Sequence, residues 1–124
     1  MIDEALTWGK RVIVPLTNLE NKELSLYEIT DRQNDLKKGT YGVMEPRPEK
    51  TRLTHFEEVD CVIVPGTVFD KKNHRIGRGI GYYDRFLKKF SPNILKIGLA
   101  FLFQVIPAIP SEVHDVKLDM VLTD

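Results

Sequence analysis

Two short apolar runs limit this chain more than any other feature. "RVIVPL" at 11–16 and "CVIVPG" at 61–66 are rich in β-branched residues, apolar at consecutive positions and closed by proline. Runs that are apolar toward both sides read as buried parallel strands. "ELSLYEI" at 23–29 alternates instead, as an edge or half-exposed strand does, and "ILKIGLAF" at 94–101 is a further buried-strand candidate. The closing stretch "VKLDMVLTD" sets Val116, Leu118, Met120 and Leu122 against Lys117, Asp119 and Val121. One stretch is strongly helical. In "YYDRFLKKF", Tyr83, Phe86, Leu87 and Phe90 recur with helical spacing, while Asp84 and Lys88 form an opposite-charge pair on another face. Residues 31–58, rich in Asp, Lys, Glu and Pro, read as an irregular connection, with "MEPRP" too proline-broken for a helix or a central strand. Strands alternating with helices predict an α/β fold, three layers deep around a mostly parallel sheet, and 124 residues suffice for one small domain.

Charge excludes several partners. Lys plus Arg number 18 and Asp plus Glu number 18, so no global field exists to hold a nucleic-acid backbone or an anionic membrane. An anion site has to be local. The single cysteine, Cys61, rules out an intramolecular disulfide and reads as a small buried apolar residue in a reducing compartment. The first residues carry acids and bases with no apolar core of a signal peptide. The longest apolar run, "IGLAFLFQVIPAIP", is broken by Gln104 and two prolines. The expectation is a soluble, cytoplasmic chain.

The local anion site is visible at "RIGRGIGYYDRF", Arg75 to Phe86. A strand ending at Pro65 leads through a polar loop to Gly77, Gly79 and Gly81, which deliver the chain to the start of the Tyr83 helix. Glycines there let a ligand approach the backbone N–H groups, and the first helical turn offers unpaired donors. Arg75 and Arg78 add fork-shaped donors suited to phosphate oxygens. The spacing is neither the P-loop pattern nor the dinucleotide fingerprint, so glycines alone also fit a tightly turned loop. Asp84, in the first turn, suits either the helix dipole or Mg2+ beside a phosphate chain. Asp115 precedes the last strand, at an end where parallel sheets gather ligands. His74 and His114 lack partners at zinc spacing and read as solvated loop residues. No serine sits beside a plausible base, so nucleophilic hydrolysis is unsupported.

"CVIVPGTVFDKKNHRIGRGIGYYDRFL", followed by "IGLAF", Gln104 and "VHDVKLDMVLTD", closely resembles the C-terminal half of the 5-formyltetrahydrofolate cyclo-ligase family, also called methenyltetrahydrofolate synthetase. "GKRVIVP" and "YGVMEPRP" resemble weaker family segments upstream. The resemblance implies an α/β three-layer fold and an ATP- and Mg2+-dependent ligase of one-carbon metabolism. Its reaction converts 5-formyltetrahydrofolate to 5,10-methenyltetrahydrofolate with release of ADP and phosphate. Carried over by position, it implies ATP contacts at Arg75, Ile76, Gly77, Arg78, Gly79, Ile80, Gly81, Tyr82 and Tyr83. Folate would meet Arg78, Gly79, Ile80, Gly81 and Tyr82, Mg2+ would be held by Asp84 and Asp115, and Arg78 would be catalytic.

The sequence departs from the family at four places. Nothing before Met1 corresponds to the family's Lys/Arg-rich first helix and the strand and glutamate-bearing turn after it, so the chain starts near the second helix, "IDEALTWGKRV". Ile80 stands where Gly or Lys is usual, Leu16 where a basic residue is usual, and Leu102 and Phe103 replace a polar pair. The chain is therefore expected to be a single cyclo-ligase-like domain, incomplete at its N-terminus and monomeric, with association through exposed strand edges as its hazard. A non-catalytic remnant keeping only the nucleotide cradle is the alternative. An RNA-binding module built on "KKNHRIGR" is disfavoured by zero net charge and few aromatic platforms.

Overall fold

In the computed structural model, the run beginning at Val12 forms a strand, but an antiparallel one. β1 (Val12–Asn18) pairs along its whole length with β2 (Glu23–Ile29), from Val12 opposite Ile29 to Asn18 opposite Glu23. The structure describes residues 1–18, 20, 23–39, 43–64, 66–76, 82–109 and 116–124, with the backbone alone for 82–84. The chain divides into two units, Met1–Glu58 and Val59–Asp124.

The first unit opens with α1 (Ile2–Thr7), the helix expected at the chain's start, and follows with the β1–β2 pair. Apolar consecutive residues made β1 look parallel, yet a strand close in sequence to a second strand pairs antiparallel at little loop cost. β2 alternates as read, with Leu24, Leu26 and Ile29 buried, but it lies centrally between β1 and β5 (Arg52–Thr54) rather than at an edge. The segment 31–58 is more ordered than its composition suggested. It holds α2 (Arg32–Asp35), β3 (Leu36–Lys38) paired with β4 (Met44–Pro46), then β5 and a 3-10 turn at Phe56–Glu58. Side chains supply what periodicity does not show. Asp31 caps α2 by accepting from Gln33 N–H at 3.0 Å, and the buried Asp35 carboxylate accepts from Thr30 and Asp31 N–H at 2.8 and 3.0 Å. Pro46 is tolerated because β4 is one strand of a two-stranded sheet. Arg11 and Arg52 share Glu28 and Glu58: Arg11 Nη2 lies 2.7 and 3.0 Å from the two carboxylates, Arg52 Nη2 2.8 and 3.0 Å. The His55 N–H and both guanidiniums hold the Glu58 carboxyl down to about 2.

The second unit carries the parallel sheet. β6 (Cys61–Val64) and β11 (Met120–Thr123) flank β9 (Leu95–Ala100), every pairing parallel. β7 (Val68–Asp70) pairs antiparallel with β8 (Arg75–Ile76) and parallel with β10 (Val105–Ile106), which follows a 3-10 turn at Leu102–Gln104. α3 (Tyr82–Leu87) is the expected helix, one turn shorter than its periodicity; it buries Phe86 and Leu87, and Phe90 beyond it stacks edge-on to Phe86 at 5.0 Å. The chain is thus mixed α/β, with a parallel sheet in one unit and antiparallel pairing in the other.

Burial in the parallel sheet is one-sided. Val62 and Val64 are buried, and Phe69, fully buried, lies over Gly98 and Gly66. A Cβ at Gly98 would stand 2.7 Å from Phe69 Cε1 and 3.0 Å from Leu118 Cδ1. Gly98→Ala is therefore expected to destabilise the chain by about 1–3 kcal/mol, measured by urea unfolding, because an aromatic ring in a filled core has nowhere to move. Cys61 corrects an expectation: it is exposed, because its register opposite Leu95 turns it to the face away from Val62 and Val64.

Candidate functional site

The turn between β7 and β8 is built around one carboxylate. Asp70 is 1% exposed, and its Oδ1 accepts from the N–H groups of Lys72 and His74, both at 2.9 Å. Its Oδ2 accepts from Ile109 N–H at 2.8 Å and meets His74 Nδ1 at 3.0 Å. Burial alone would push this carboxyl up; the donors from His74, Ile109 and Lys72 outweigh burial and hold it down to about 2. His74, read as solvated, is thus a partner of a buried acid. Asn73, at φ 68°, supplies the left-handed residue that closes the turn, a conformation asparagine tolerates well.

The turn delivers its next residues directly into the glycine block. Arg75 is half-buried and Ile76 exposed on β8, and Ile76 O accepts from Thr67 N–H at 2.7 Å, tying the approach to the segment after β6. The same turn grips the C-terminal segment. Leu118 N–H donates to Asn73 O at 2.9 Å, and Asn73 Nδ2 donates to Asp119 O at 3.1 Å. Asp119 in turn accepts from Lys96 N–H at 2.7 Å and donates its own N–H to Lys96 O at 2.9 Å. Leu118 lies three residues beyond Asp115, and Asn73 two before Arg75, so one hydrogen-bonded turn anchors the chain on both approaches to the expected metal and phosphate residues.

A third element lies at the carboxyl ends of the parallel strands, where open α/β sheets hold ligands. Gln104 clamps two of these ends: its Nε2 donates to Thr67 O at 3.2 Å and Gly66 O at 3.4 Å, and its Oε1 accepts from Phe101 N–H at 2.8 Å. Asp124 accepts from Leu102 N–H at 2.9 Å. Leu99, Ala100, Phe101, Gln104 and Asp124 line an open, mainly apolar concavity of about 220 Å3. Phe101 and Phe103 stack in parallel beside it, 5.6 Å apart, and both are exposed.

Of the residues expected to act, Arg75 and Ile76 are placed on β8, and Tyr82, Tyr83 and Asp84 open α3, where the backbone alone is described. Gly77, Arg78, Gly79, Ile80, Gly81, Asp115 and His114 lie outside the described residues. No group of three or more acidic, His or Cys side chains forms a metal cluster among the described residues. Carboxylates such as those of Asp84 and Asp115 are hard oxygen donors, the chemistry that suits Mg2+. Asp70, Asn73 and Asp119 escaped the sequence reading. The signal available was the "FDKKNH" turn composition, an aspartate with polar residues two and three positions on.

The sequence profile of the 5-formyltetrahydrofolate cyclo-ligase family matches residues 1–124. The chain belongs to that family. Among similar cyclo-ligases, the probable 5-formyltetrahydrofolate cyclo-ligase of Schizosaccharomyces pombe is 32% identical over 99% of the chain, and the 5-formyltetrahydrofolate cyclo-ligase of Mus musculus 29% over 98%. The NMR structure of the Aquifex aeolicus 5,10-methenyltetrahydrofolate synthetase superposes with a TM-score of 0.79 at 38% identity, over 98% of the chain. The chain spans 66% and 64% of the two cyclo-ligases and 59% of the Aquifex aeolicus chain. Among the described residues, no helix is long and apolar enough to cross a membrane.

Proposed function

We propose that the chain carries the phosphate-binding half of a 5-formyltetrahydrofolate cyclo-ligase, within one family domain over 1–124. Its reaction is the ATP- and Mg2+-dependent closure of 5-formyltetrahydrofolate to 5,10-methenyltetrahydrofolate, with ADP and phosphate released. The observation that carries this reading is the family match over the whole chain, with the R-x-G-x-G-x-G-Y-Y-D-R block standing directly after a turn fixed by a buried aspartate. Phosphoryl transfer of this kind asks for oriented donors and charge stabilisation rather than a covalent nucleophile. Arg75 to Tyr83 would contact ATP, with Arg78 to Tyr82 also facing folate. Asp84 and Asp115 would hold Mg2+, which supplies charge neutralisation of the phosphates when bound.

The test is the appearance of methenyltetrahydrofolate absorbance when the 124-residue chain meets 5-formyltetrahydrofolate, ATP and Mg2+. Turnover that vanishes without ATP supports the reading; silence from a folded sample that still binds ATP supports a second one. In that reading the chain binds nucleotide through the glycine-rich cradle without converting the folate. Asp84→Asn separates a metal ligand from a helix-dipole partner. Changes to outer-shell partners alone cost ten- to hundredfold in metal affinity, so loss of a direct ligand should raise the Mg2+ requirement at least about tenfold. An unaltered Mg2+ titration, of turnover or of ATP binding, would assign Asp84 to the dipole.

A further inference from the structure

One peptide plane ties the Gln104 side chain to the approach of the glycine block. Gly66 and Thr67 lie between β6 and β7, outside both strands. The peptide joining them is held at each end: Gly66 O accepts from Gln104 Nε2 at 3.4 Å, and Thr67 N–H donates to Ile76 O at 2.7 Å. Because a peptide is planar, fixing its oxygen fixes the direction of its N–H. Gln104 Nε2 also donates to Thr67 O at 3.2 Å, so both carbonyls of the segment meet one carboxamide. Its Oε1 accepts from Phe101 N–H at 2.8 Å, and an N–H facing the oxygen with carbonyls facing the nitrogen leaves the amide a single orientation. The backbone beneath it is anchored as well. Gln104 N–H donates to Phe101 O at 2.9 Å, and Val105 and Ile106 follow at once in β10, paired with Phe69 and Asp70 of β7.

We propose that Gln104 is a positioning residue for nucleotide binding: through the Gly66–Thr67 peptide it sets the place of Ile76, from which the chain enters the glycine block at Gly77. The inference rests on the reading of that block as the ATP cradle and deepens it. β7 and β8 pair over only two positions, Val68 with Ile76 and Phe69 with Arg75, so the strand that leads to the block has few ladder bonds of its own. Asp70 fixes the turn where that strand begins; the Thr67 bond holds the end nearest the block. Gln104 touches no reacting atom and acts through Thr67. Glutamate at this position would keep the side-chain length and the acceptor for Phe101 N–H, but when ionised it has no donor for the two carbonyls.

The test is ATP affinity in the presence of Mg2+, taken as the ratio of each variant to the wild-type chain at the same pH, on samples that circular dichroism shows folded. Gln104→Glu should bind ATP about tenfold more weakly at about pH 8, where a carboxylate faces two carbonyl oxygens. At about pH 5 it should come within about twofold of wild type, because the protonated acid donates in the amide's place. The facing carbonyls, and Asp124 lining the same concavity, keep that carboxyl protonated to a higher pH than an ordinary glutamate at about 4.3. Gln104→Leu has no donor at any pH and should lose about tenfold at both. An equal ratio for Gln104→Glu at the two pH values, or a leucine variant that binds ATP like wild type, overturns the proposal. If one variant fails to fold, the other decides; if both fail, Gln104 serves stability alone and the proposal falls. Hydrogen exchange at Thr67 N–H separates this inference from the reading beneath it. Its protection should drop about tenfold in Gln104→Leu, and unchanged protection breaks the link to Ile76. A wild-type chain that binds no ATP sinks the cradle reading, and protection at Thr67 then decides alone whether Gln104 sets the approach.

Discussion

Replacing Asp70 by alanine should cost about 3–5 kcal/mol, because it strips acceptors from buried donors rather than removing a surface charge. The N–H groups of Lys72, His74 and Ile109, and the His74 ring, all point at this one carboxylate. A domain of this size has a total stability of order 5–15 kcal/mol, so a thermal midpoint lowered by roughly 10–20 °C is expected. Acid gives an independent check. The Asp70 carboxyl is held at about 2 against an ordinary 3.8, so its contribution is complete above about pH 4 and is lost as pH falls from there toward 2. The shift corresponds to roughly 2 kcal/mol. Denaturation of the wild-type chain and Asp70→Ala across that window should converge as pH falls. Parallel curves would mean that the carboxylate's charge contributes nothing.

Arg78→Ala should lower ATP-dependent turnover by about 10²–10³-fold, the usual cost of removing one donor aimed at developing charge. In sequence Arg78 stands between Gly77 and Gly79, and a guanidinium is a fork-shaped donor suited to phosphate oxygens. The loss should fall on kcat, with ATP binding changed much less, if the guanidinium acts on the transferring group. Equal weakening of ATP binding with kcat preserved would make Arg78 a ground-state contact. If the chain turns over nothing, the same substitution read through ATP affinity still tests the cradle, and unchanged affinity would remove Arg78 from it.

The strands were legible where local pattern governs. Leu24 and Leu26 alternate with exposed Glu23 and Ser25 and are buried in β2, and the Phe86, Leu87 and Phe90 spacing gave α3. Pairing direction was not legible, because an apolar run such as Val12–Val14 is equally at home beside an antiparallel or a parallel neighbour. The order within 31–58 was hidden because it rests on side-chain hydrogen bonds from Asp31 and Asp35, which no periodicity records. Cys61 was misread for a related reason: which side of a strand meets the core depends on register, and register depends on a partner 34 residues away at Leu95. The motif that carries the proposed function was fully visible as sequence. Asp70, which fixes the approach to it, was not, since an aspartate before two lysines looks like any surface turn.

The strand order of the second unit sets an order of events during synthesis. β9 lies between β6 and β11, so the sheet cannot close until β11 has been made, long after β6 has emerged. The β1–β2 hairpin of the first unit needs only residues near each other and can form while the rest is still being made. Until β11 arrives, one edge of β9 is open to whatever strand is nearby, which prolongs its exposure to chaperones and to mispairing.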